Sequence, residues 1–114
     1  MKIINTSRNA LLAENAVIAE SLFSRIKGLL GRSFLGANEA LIIKSCNSIH
    51  TFFMRFAIDV IFLDRDNRVV GLKENIPPFR VTPIYYRAIQ AVELPAYTIS
   101  RTKTQLNDRI QLEN

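Results

Sequence analysis

Cys46 and His50 are the chain's single cysteine and single histidine, and they stand four residues apart in the run Cys46-Asn47-Ser48-Ile49-His50-Thr51-Phe52-Phe53-Met54. A thiolate beside an imidazole is the usual activated nucleophile. The pair meets only if residues 46–50 turn, because four residues of extended strand span about 13 Å. The plainer alternative is a small buried cysteine and a hydrogen-bonded histidine. One cysteine and one histidine leave carboxylates to complete any metal site, and no zinc spacing is present, so neither a metal nor another cofactor is expected.

The carboxylates raise a second question. Asp59 interrupts an apolar run between Ile58 and Val60, and Glu93 stands between Val92 and Leu94. An acid in such a setting needs a partner. Arg32, Arg55 and Arg80 are the natural candidates, because guanidinium forks bind carboxylates through paired hydrogen bonds. Asp108, after Asn107 at a turn, is a further acid of the same kind. Strand alternation would put Ser48, His50, Phe52 and Met54 on one face and Ile49, Thr51 and Phe53 on the other. The first set describes a pocket wall with directed polar groups, and equally a half-buried core strand. The candidate pocket therefore comprises Cys46, His50, Thr51, Met54, Asp59, Arg80 and Glu93, with Arg32, Arg55 and Asp108 behind it. Residues 77–80 and Tyr85-Tyr86-Arg87 are candidates for its rim, since tyrosine and arginine favour contact surfaces.

The elements that must position these groups are mostly short strands. Residues 3–5 and 16–19 read as strands around a polar turn near Asn9 and Glu14. Leu22, Phe23, Ile26, Leu29 and Leu30 fall on one face of a helix, with Ser21 as N-cap and Gly31 past its end. Residues 40–43, 58–63 and 69–72 are apolar and β-branched. The last two flank Asp64-Arg65-Asp66-Asn67-Arg68, a hairpin connection in which Asn67 takes positive φ. Pro77, Pro78 and Pro83 keep residues 77–83 out of a central strand. Residues 88–94 form a strand ending at Pro95, residues 99–106 are loosely helical, and residues 109–112 form a last strand. This pattern predicts a mainly β, compact antiparallel sandwich or small barrel with one flanking α-helix.

Size and composition narrow the setting. The 114 residues, 48% of them hydrophobic, suit one domain with an ordinary core. With one cysteine there is no internal disulfide to form, no apolar run is long enough to span a membrane, and the N-terminal residues do not resemble a signal peptide. A cytoplasmic location is expected. Residues 1–57 carry 7 basic and 3 acidic side chains, against 8 and 7 in residues 58–114, and no dense basic run or basic–aromatic alternation points to nucleic acid.

Together these segments resemble the family called domain of unknown function 192. The residues that carry the likeness are Arg25-Ile26-Lys27-Gly28-Leu29-Leu30-Gly31-Arg32, the stretch from Cys46 to Asp64, Val92-Glu93-Leu94-Pro95-Ala96, and Asn107-Asp108, within residues 16–112. The resemblance implies a compact, mainly β fold with a helix on its flank, and no activity. Four departures bear on the loops. Asn67 and Asn107 stand where the family prefers glycine, and asparagine is the best substitute in a left-handed turn. Ala57 replaces a common proline. Tyr97 replaces the glycine after Leu94-Pro95-Ala96, where an aromatic residue tolerates positive φ badly.

Three functions fit these residues. The first is a small ligand-binding or accessory module using the candidate pocket, its ligand an unknown small molecule or protein. The second is a hydrolase or transferase built on Cys46 or His50 with Asp59 orienting. The third is a protein-interaction module that docks through residues 77–87.

Overall fold

The computed structural model describes residues 1–19, 35–52 and 54–114. The helix expected at residues 22–30, together with Arg32 and Phe53, lies outside the described residues. Among the described residues, eight strands and one short helix follow in chain order: β1 (Lys2–Asn5), β2 (Ala10–Ala13), β3 (Asn15–Ala19), β4 (Glu39–Lys44), β5 (Ile58–Leu63), β6 (Val69–Ile76), β7 (Gln90–Pro95), α1 (Thr98–Thr102) and β8 (Ile110–Glu113). They form a three-stranded sheet, β2-β1-β8, and a five-stranded sheet, β3-β4-β7-β5-β6. The fold is mainly β, as expected, but it is two sheets rather than a closed barrel. One pairing departs from the antiparallel pattern: β3 runs parallel to β4, with Ala16 opposite Ala40 and Ile18 opposite Ile42.

Strand β5 shows how residue alternation builds two cores. All six of its residues are buried. Ile61 and Leu63 join Ile42, Val92 and Leu94 in the layer between the sheets, where Ile3, Leu12 and Ile110 of the small sheet meet them. Ile58, Val60 and Phe62 point the other way and pack with Leu41, Ile43, Ala91, Ile49 and Met54. Such a strand must be hydrophobic on both faces, which explains its near-continuous apolar run.

The expected hairpin is present. Asp64 accepts hydrogen bonds from the Asp66 and Arg68 amides, both at 2.9 Å, and Asn67 takes φ 58°. Two bulges mark the β5–β6 pairing, and they carry β6 through the polar Lys73-Glu74-Asn75 to Ile76, beyond the stop expected at Leu72. On the outer face, Tyr85 lies flat on β6. Its ring stacks on Phe62 with centroids 4.4 Å apart, and a Cβ on Gly71 would stand 2.5 Å from its ring carbons. Only glycine leaves room for that seat.

The small sheet is fastened by one carboxylate. Asp108 Oδ2 accepts from Asn5 Nδ2 at 3.0 Å, Arg8 Nε at 3.0 Å and the Gln105 amide at 2.9 Å, while Oδ1 accepts from Arg8 Nη2 at 3.3 Å. Burial raises the Asp108 pKa, but the bonds from Arg8, Asn5 and Gln105 outweigh it and hold the group below its ordinary value. The cluster joins the turn after β1 to the turn before β8.

Candidate functional site

Among the described residues, the central sheet divides the sequence-derived pocket residues between its two faces. Asp59 pairs with Leu94 and so faces the inner layer, whereas Glu93 lies opposite Val60 and Leu41 and faces the outer one. The central sheet separates the two acids. Asp108 is at the small sheet, and Arg55 and Arg80 are exposed.

Asp59 finds backbone partners in place of the expected arginine. Its Oδ1 accepts from the Asn75 amide and its Oδ2 from the Ile99 amide, each at 2.8 Å, with the residue fully buried. Asn75 is at the β6 bulge with φ 51°. Ile99 is in the first turn of α1, whose N-cap residue Tyr97 supplies no side-chain bond. A strand carboxylate thus does the capping that the helix lacks locally, and braces the bulge with its other oxygen. Glu93 is also fully buried and is not without a partner.

Residues 47–51 are extended, and residues 79–85 run antiparallel to them. The Thr51 amide donates to the Arg80 carbonyl at 2.8 Å, the Thr82 amide to Ile49 at 2.9 Å, and the Tyr85 amide to Asn47 at 2.8 Å. Thr51 is buried and clamps the loop with its hydroxyl, which donates to the Pro77 carbonyl at 2.7 Å and accepts from the Arg80 amide at 2.9 Å. Thr82 repays this from the other side, its hydroxyl accepting from the Ile49 amide at 3.0 Å. Alternation holds through residue 52: Ile49 and Thr51 point in, while His50 stacks outside on Phe52 with centroids 5.0 Å apart. A turn then closes with the Met54 amide donating to the Thr51 carbonyl, and Met54 lands in the core beside Ile49. That turn overrides the alternation that would have put Met54 with His50.

Cys46 is half-buried, and its thiol donates to the Ser48 carbonyl at 3.1 Å. His50 is half-buried with its Nδ1 inside; its ring stacks on Phe52 at the outer surface and its backbone bridges to Val81.

That outer surface is the most unusual feature of the molecule. Phe52, Phe79, Val81, Ile84 and Tyr86 are all exposed, Phe79 at 70% and Tyr86 at 86%. Phe79 also holds φ 65°, a conformation that costs a bulky residue on the order of 1 kcal/mol or more. Arg80 and Arg87 adjoin these side chains, and Arg55 is exposed three residues after Phe52. Neither residues 40–58 nor residues 75–92 contain an aspartate or glutamate. Sequence reasoning singled out several of these residues as a rim, but not that two distant segments would merge into one face. A shallow depression lined by Val70, Ile84, Tyr85, Tyr86 and Arg87 opens on it. A second, of about 170 Å³, lies beside α1 between Ala37, Pro95, Tyr97 and Arg101.

The family model for DUF192, described as an uncharacterized ACR, matches residues 3–112. The chain belongs to the DUF192 family. Among proteins similar to it, a UPF0127 protein of Thermococcus sibiricus is 31% identical over 97% of this chain and 74% of its own length. A UPF0127 protein of Pyrococcus horikoshii is 33% identical over 96% of both. A solved structure of a protein of unknown function from Novosphingobium aromaticivorans shares the fold, with a TM-score of 0.80 at 20% identity over 97% of this chain and 82% of that one. DUF192 carries no assigned activity, and the site in this member rests on its own geometry.

Proposed function

We propose that this DUF192 chain is a binding module, not a catalyst, and that it meets its partner through the face built from residues 47–52 and 79–87. One observation carries this reading: two acid-free segments are locked together to display Phe52, Phe79, Val81 and Tyr86 beside Arg80 and Arg87. Exposed apolar side chains of this number on adjoining turns mark an interaction surface. Arginines carried on acid-free segments favour an anionic partner by charge complementarity. The strained Phe79 backbone supports the same reading, since a fold retains such a residue where the displayed side chain is needed. The expected cytoplasmic location is retained as part of the proposal.

The test is an NMR titration of labelled protein with dextran sulfate, using neutral dextran as control. A chain of net charge +5 binds a polyanion somewhere, so the location of binding is the readout. Shifts concentrated at residues 47–52 and 79–87 support the proposal. Shifts centred on the small sheet, or spread evenly over the surface, remove it.

A further inference from the structure

The apolar side chains of this face sit on separate turns and bends. Phe52 is in the turn closed between Thr51 and Met54, Phe79 in the bend after Pro77-Pro78, and Tyr86 in the turn closed by the Ala88 amide on Tyr85. Val81 stands between them, bridged to His50. A folded protein partner buries such groups only if it offers a pocket shaped for each of them. The depression beside Tyr86 is shallow and touches Val70 and Ile84, leaving Phe52, Phe79 and Val81 outside it. A bilayer surface makes no such demand. It accepts protruding apolar side chains at the level of the headgroups, provided cations beside them meet anionic lipid. Arg80, between Phe79 and Val81, and Arg87, beside Tyr86, are exposed and adjoin these side chains. No helix among the described residues is long and apolar enough to cross a membrane.

We infer that this face docks on an anionic membrane surface, with Phe79 and Val81 entering the headgroup layer and Arg80 and Arg87 holding lipid phosphates. The inference rests on the proposed binding face and adds its partner.

The experiment is flotation with two kinds of vesicle: phosphatidylcholine alone, and phosphatidylcholine with phosphatidylglycerol. The wild-type protein is expected to float only with the anionic vesicles, and less so as salt rises. Arg80→Gln with Arg87→Gln should weaken partitioning by roughly fivefold per arginine, and the loss should shrink at high salt. Phe79→Asn with Val81→Ser should weaken it by about tenfold or more with the salt dependence kept, since this pair removes insertion rather than charge. Asparagine tolerates the left-handed backbone at position 79, so this variant should fold. Lys2→Gln with Arg109→Gln, which takes the same charge from the small sheet, should change partitioning by less than either pair.

Failure to float, or equal flotation with neutral vesicles, overturns the inference. So does equal weakening by the small-sheet pair, which would mean that net charge alone attracts the protein. If soluble poly-glutamate shifts the face residues while vesicles do not, the partner is an acidic polypeptide, and the membrane inference falls while the binding face stands. If neither dextran sulfate nor vesicles engage these residues, both fall.

Discussion

Replacing Asp59 with asparagine keeps shape and volume while altering hydrogen bonding. The native carboxylate accepts two backbone N–H bonds, from Asn75 and Ile99, both 2.8 Å long. An amide has one oxygen, so one N–H must face an NH₂ group and lose its acceptor. A buried donor left unmet costs about 1–3 kcal/mol, and weakening the surviving charge-assisted bond adds on the order of 1 kcal/mol. About 3 kcal/mol in total corresponds to a Tm lower by about 10 °C for a chain of this size. Urea unfolding should show the loss at unchanged m, since the same surface is exposed. Hydrogen exchange should localise it, with the amides of residues 75 and 99 losing protection beyond the global change. Vesicle flotation of the folded Asp59→Asn protein should match wild type. Stability within about 0.5 kcal/mol of wild type, too little for even one unmet buried donor, would refute the bracing role.

Other substitutions test separate parts of the structure. Tyr97→Gly should raise stability by about 0.5–1 kcal/mol, because φ 75° strains a side chain that is 68% exposed and packs little, whereas Tyr97→Ala should bring no gain; thermal melts of the two variants separate strain from lost contact. Gly71→Ala forces a methyl group to within 2.5 Å of the Tyr85 ring and should cost about 1–3 kcal/mol, with a change in the near-ultraviolet circular dichroism of that tyrosine. Asp108 titrates below its ordinary value when folded, so the unfolded chain takes up its proton first. Its contribution is complete above the unfolded pKa of about 3.9 and is lost as pH falls through the folded one. Asp108→Asn should therefore flatten the acid limb of a stability–pH curve below about pH 4, measured by urea unfolding.

Local signals carried much of the fold. The β5–β6 hairpin followed from two β-branched runs around Asp64 and Asn67, and the left-handed Asn67 and Asn107 followed from a side chain that tolerates that backbone. Strand β2 gave little notice, since Ala10-Leu11-Leu12-Ala13 has neither β-branching nor alternation. The parallel partner of β3 is more than twenty residues away, and nothing local encodes such a choice. At the candidate site the residue types were conspicuous but their partners were not. Asp59 was recognisable as an acid in need of donors, yet backbone amides served where arginines were expected, and no side-chain pattern announces an amide. Asp59 and Glu93 both looked buried, and only the strand register put a sheet between them. The turn at residues 51–54 likewise sent Met54 inward, against the period-two pattern that holds through residue 52.

Strand β1 lies between β2 and β8, with Lys2 opposite Glu113 and Asn5 opposite Ile110. A chain emerging from the ribosome therefore cannot complete the smaller sheet until β8 has been made, more than a hundred residues after β1, and until then the apolar inner side of β5 and β7 lacks part of its cover. Folding must close a loop of about a hundred residues at that late step, which favours slow refolding. The same adjacency means that a few added residues could join residue 114 to residue 1. In such a circle, fresh ends cut at the exposed turn of residues 105–107 would let the last and first strands pair as neighbours in sequence, and the permuted protein should refold faster than the natural order.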